Sequence, residues 1–74
     1  MFKCQFKFVS GNVREYQGKQ YFNVELKIGD HIYSGSATAN VYTQLREFEQ
    51  YNGVFNLFRM RGGMGYRLEL VGLE

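Results

Sequence analysis

Apolar and polar residues alternate strictly from Phe2 to Phe8 in a segment that runs to Val9, and the same alternation returns from Tyr21 to Ile28. Successive side chains of an extended chain point to opposite faces, so each run predicts a strand with one dry and one wet side. In the first, Phe2, Cys4, Phe6 and Phe8 share the apolar face, opposite Lys3, Gln5 and Lys7. In the second, Phe22, Val24, Leu26 and Ile28 oppose Tyr21, Asn23, Glu25 and Lys27. With 74 residues the chain can build one such core and no second, so residues 1–74 are read as one domain and two-domain mechanisms are excluded. Hydrophobic residues at 45% and aromatics at 18% exclude a disordered segment.

Proline is absent, and punctuation falls to nine glycines. Gly11 and Asn12 suggest a bulge, after which the first strand continues through Val13 to Tyr16 and turns at Gln17-Gly18-Lys19. Gly29-Asp30 suits a two-residue type II′ turn, because its first position needs positive φ. A third strand is expected from His31 to about Thr38. Its facing stays open: a two-residue turn puts His31, Tyr33, Gly35 and Ala37 on the core side, and one extra loop residue turns Tyr33 outward.

From Asn40 the period changes. Val41, Leu45 and Phe48 stand at i, i+4 and i+7 behind a capping Asn, which predicts a short helix ended by Asn52-Gly53. Glu47 and Glu49 would then occupy its last turn, where the helix dipole disfavours acids. Strand character returns in Val54 to Arg61 and Tyr66 to Val71, joined by Gly62-Gly63-Met64-Gly65.

The resulting order, β-β-β-α-β-β, is that of the OB-fold, a five-stranded Greek-key barrel, and the expected fold class is all-β with one short helix. Closure removes the exposed edges of an open sheet and gathers Phe6, Phe8, Phe22, Leu26, Leu57 and Leu68 into a core. Other small barrels, SH3-like ones included, satisfy the same pattern; the helix position favours the OB order.

Catalytic chemistry finds few candidates. His31 is the only histidine and abuts a turn, and Cys4 alternates with Phe2 and Phe6 as a packing residue. One His and one Cys without a matching carboxylate pattern predict no metal site. The Gly62–Gly65 segment lacks the following helix and the Lys and Ser or Thr of a phosphate-binding loop. Neither an enzyme nor a cofactor is expected. A lone cysteine and the lack of a secretion-type amino terminus predict an intracellular protein, and no apolar run is long enough to span a bilayer.

Two clusters suggest a ligand. Arg59, Arg61 and Arg67 surround the glycine-rich connection, and Arg14, Tyr16, Lys19 and Tyr21 alternate about Gly18. In an OB-fold these two loops flank the binding face. Cations there track phosphates, while Tyr16, Tyr21 and Tyr33 are candidates to stack on unpaired bases. Each tyrosine alone is equally at home in cross-strand packing, and a net charge of +2 argues for moderate affinity.

The residues Gly18-Lys19-Gln20-Tyr21, the alternation to Ile28, the Gly29-Asp30 turn and Tyr33 form a recognisable series, followed by Tyr51, Gly53-Val54-Phe55, a glycine-rich turn and the strand from Tyr66 to Val71. Over about residues 16–74 the chain resembles the small single-stranded DNA-binding proteins of filamentous bacteriophages. That resemblance implies an OB-fold homodimer that coats single-stranded DNA without sequence preference in the cytoplasm of a bacterial host, in phage or plasmid replication. It carries Lys19 and Tyr21 into the binding role, with Arg14, Tyr16 and Tyr33 by placement. RNA is the nearest variant ligand. The expectation from another class is a protein-binding or structural module of a phage or mobile element with no nucleic-acid ligand.

Overall fold

In the computed structural model, which describes residues 1–59, 62 and 65–74, the strands are β1 (Phe2–Tyr16), β2 (Lys19–Ile28), β3 (His31–Ala37), β4 (Gln50–Arg59) and β5 (Tyr66–Leu73), with one helix, α1 (Ala39–Tyr42). They close into a barrel in the order β1-β2-β3-β5-β4, with β3 and β5 parallel and every other pair antiparallel. This is an OB-fold-like barrel, the architecture expected from the order of elements.

Local chemistry sets the two hairpins. Tyr16 pairs with Lys19 across Gln17 and Gly18, both at positive φ, so the first turn has two residues and Lys19 already belongs to β2. Ile28 pairs with His31 across Gly29 at φ 61 and Asp30. The bulge lies between Phe8 and Ser10, slightly before Gly11, and lets the long first strand pair with β4 through its first half and β2 through its second. Closure depends on Gly35, opposite Leu68: a Cβ there would stand 2.5 Å from the Leu68 carbonyl oxygen.

The core comprises Phe6, Phe8, Val24, Leu26, Ala37, Val41, Phe55 and Leu70. Phe55 is fully buried and meets Phe6 edge-on at 5.6 Å. Of the core expected from sequence, Phe6, Phe8 and Leu26 are buried and Phe22 and Leu68 half-buried. Leu57 departs from expectation at 53% exposed. Its side chain has the inward parity, opposite Leu68, but it lies at the open end of the barrel, where it lines a depression with Phe2, Ile28 and Tyr33.

The helix is also shorter than expected. It ends at Tyr42, and Thr38 rather than Asn40 occupies the N-cap, without a side-chain capping bond. Val41 is buried as the pattern requires, whereas Phe48 is exposed with φ 67. Sheet pairing overrides the helical spacing here. The Phe48 amide donates to the Phe8 carbonyl at 2.6 Å and the Phe8 amide to the Glu49 carbonyl at 3.0 Å, so residues 48 and 49 supply backbone partners beside the bulge. Tyr51 holds the connection from inside. Its hydroxyl accepts from the Arg46 amide at 2.8 Å while its ring stacks on Phe6. Gly53 therefore sits within β4, among Phe6, Phe55 and Leu70, instead of ending a helix. Among the described residues no helix is long and apolar enough to cross a membrane.

Candidate nucleic-acid interface

Register sorts the candidate residues by face, because directly opposed residues of a ladder point the same way. Arg14 pairs with Tyr21 and Tyr16 with Lys19, which puts all four on the outer surface of the β1–β2 hairpin. Asn12 and Asn23 form the next pair on that surface, and Asn23 continues it to Ser36 on β3. Leu68 faces inward opposite Gly35, so its neighbour Arg67 on β5 faces outward with Glu69.

The outcome is one continuous polar face. An open groove of about 810 Å³ runs along it, lined among others by Arg14, Tyr16, Tyr21, Asn23, Arg67 and Glu69. A second depression of about 360 Å³ adjoins it, lined by Asn12, Arg14, Asn23, Glu25, Ser34 and Arg67. The Arg67 Nη2 donates to the Asn23 Oδ1 at 2.8 Å, and the Asn23 Nδ2 donates to the Asn12 Oδ1 at 3.2 Å. This chain of bonds links three strands and holds the guanidinium over the sheet, 44 residues in sequence from its acceptor. Among the described residues Arg14, Lys19 and Arg67 form no ion pair, so their charged groups stay open to solvent. Tyr16 is 65% and Tyr21 47% exposed, enough for a flat ligand to reach their rings.

Two candidates stand elsewhere. Tyr33 has inward parity, opposite Leu26, and is exposed only because it lies at the barrel mouth. There it lines an apolar depression of about 340 Å³ with Phe2, Cys4, Ile28, Leu57, Tyr66 and Leu68. The two-residue turn at Gly29-Asp30 thus resolves the open register toward the core side. Arg59 pairs with Tyr66, whereas Arg67 pairs with Phe58, so Arg59 and Arg67 occupy opposite faces of the same ladder. Arg61 lies outside the described residues, as do Gly63 and Met64 of the expected connection. The expected collection of arginines at one loop thus reduces, within the described residues, to Arg67 alone on the outer face.

The groove also holds residues that the cation and tyrosine pattern did not single out: Asn12, Asn23, Ser34 and Glu25, with Phe58 beside Arg67 on the same face. Parity within each alternating strand contained the signal, since Asn23 and Glu25 share the wet face with Tyr21. Among the described residues no group of His, Cys, Asp and Glu side chains is placed to hold a metal ion. Compared with models of known protein families, with curated proteins and with solved structures, the chain matches none.

Proposed function

We propose that this chain binds single-stranded nucleic acid, with DNA as the first candidate, along the outer face of β1, β2, β3 and β5. The observation that carries the proposal is the convergence of Arg14, Tyr16, Tyr21 and Arg67, from β1, β2 and β5, on one open groove. Guanidinium groups neutralise phosphates, and exposed rings accept the faces of unpaired bases, an interaction worth about 1–3 kcal/mol per base. Lys19, opposite Tyr16, extends the cationic track to the hairpin tip. Tyr33 and Arg59 have no part in this groove.

The role is binding, not catalysis. A place in phage or plasmid replication, a bacterial cytoplasm and a homodimer rest on the resemblance alone, and sedimentation of the free chain tests the dimer. A second proposal, partner-protein binding, draws support from the apolar mouth formed by Phe2, Ile28, Tyr33, Leu57, Tyr66 and Leu68.

The test is titration with oligothymidine, monitored by tyrosine emission and by anisotropy of a labelled strand. The chain has no tryptophan, so stacking is read directly from the tyrosines. Quenching, affinity that falls linearly in log salt, and weaker binding to duplex are expected. No quenching and no anisotropy change at low salt would favour the protein-binding role.

A further inference from the structure

We propose that the depression lined by Glu25 and Arg67 reads a guanine base within the bound strand; the inference rests on the nucleic-acid function proposed above. Glu25 is the observation that calls for explanation. It is an exposed acid in the middle of a face whose cations would otherwise attract phosphate, and among the described residues no side chain pairs with it. It lines the same depression as Arg67, Arg14, Asn12, Asn23 and Ser34. Register places Glu25 directly opposite Ser34, one residue along β3 from the point where Gly35 pairs with Leu68 and therefore next to Arg67.

The donor and acceptor set fits one base better than the others. A carboxylate only accepts hydrogen bonds, and its two oxygens match two adjacent donors. Guanine alone offers such a pair on its Watson–Crick edge, at N1 and N2. Thymine has a single N–H between two carbonyl oxygens that repel a carboxylate, while adenine and cytosine each place a ring-nitrogen acceptor beside their amino group. Guanine also presents O6 and N7 as acceptors, the preferred partners of an arginine fork. Arg67 is suited to them, because its bond to Asn23 uses one of five donors and fixes the orientation of the rest. The N1 and N2 donors are occupied in a duplex and free in a single strand, so the same contact also selects unpaired strands.

The experiment measures binding of the full chain to oligothymidines carrying one central guanine, inosine, adenine or thymine. Guanine is expected to bind about five- to a hundredfold more tightly than thymine, with inosine, which lacks the N2 amino group, in between. Glu25→Gln should narrow the gap between guanine and thymine, and Glu25→Gln combined with Arg67→Ala should close it. Equal affinity for all four strands in the unaltered chain, or a guanine preference undiminished by Glu25→Gln, overturns the proposal while leaving single-strand binding intact. Binding by none of the strands overturns the underlying function as well. Guanosine monophosphate as competitor separates two sources of the same base: displacement only at far higher concentration than the strand supports a base read in a chain, and displacement at equal concentration points to a free-nucleotide site and overturns the proposal.

Discussion

The outer groove and the barrel mouth both expose aromatic rings, yet they differ in what surrounds them. Around Tyr16 and Tyr21 stand Arg14, Lys19, Asn23 and Arg67. Around Tyr33 and Tyr66 stand Phe2, Cys4, Ile28, Leu57 and Leu68. The first setting offers a phosphate its counter-charge and a base its stacking plane, whereas the second offers mainly apolar area. An exposed tyrosine on a strand is thus uninformative until its parity is known: residues of one face share the solvated ladder, and residues of the other reach solvent only where the barrel opens.

The largest expected effect lies beneath both surfaces. Phe55 is fully buried, against Phe2 on the mouth side and Phe6 within the core, and Phe55→Ala should cost about 3–5 kcal/mol in urea unfolding, abolishing groove and mouth together. Next comes the contrast between the two pairs of rings. Tyr21→Ala should weaken oligonucleotide binding about five- to a hundredfold at unchanged stability, and Tyr33→Ala should leave it within about twofold. Equal losses from both would erase the distinction between the surfaces.

A smaller effect sharpens the same division among the cations. On oligothymidine, which offers Arg67 no guanine edge, Arg14→Ala and Arg67→Ala should each reduce the slope of log affinity against log salt by about 0.7, and Arg59→Ala should leave it unchanged. The smallest concerns the mouth itself. Leu57→Ala, at a half-exposed position, should cost about 1 kcal/mol or less, where a core leucine would cost about 2–5 kcal/mol.

The same contrast explains how far the sequence could be read. Turn chemistry is local, so Gly29-Asp30 and Gln17-Gly18-Lys19 announced the hairpins, although Lys19 itself opens β2, and two-residue alternation announced which side of β1 and β2 is dry. Alternation specifies a face but not a height along the barrel axis. Leu57 and Tyr33 accordingly have the parity of core residues and the exposure of surface ones. The spacing of Val41, Leu45 and Phe48 predicted a longer helix because the backbone bonds joining Phe48 and Glu49 to Phe8 depend on a bulge some forty residues upstream. Arg59 and Arg67 are close along a hairpin, and only the ladder register shows that they point apart. Alternation puts Glu25 on the wet face of its strand, but only the closure of β3 against β5 brings Arg67 into the same depression.

Chemical-shift mapping of the labelled chain with a single-stranded oligonucleotide of about ten nucleotides tests the central claim most directly. Perturbations are expected at Asn12, Arg14, Tyr16, Lys19, Tyr21, Asn23, Ser34, Ser36 and Arg67, with Phe2, Ile28, Tyr33 and Tyr66 silent. Perturbations concentrated at the mouth residues, or none at low salt, would contradict the assignment of the outer groove as the binding surface.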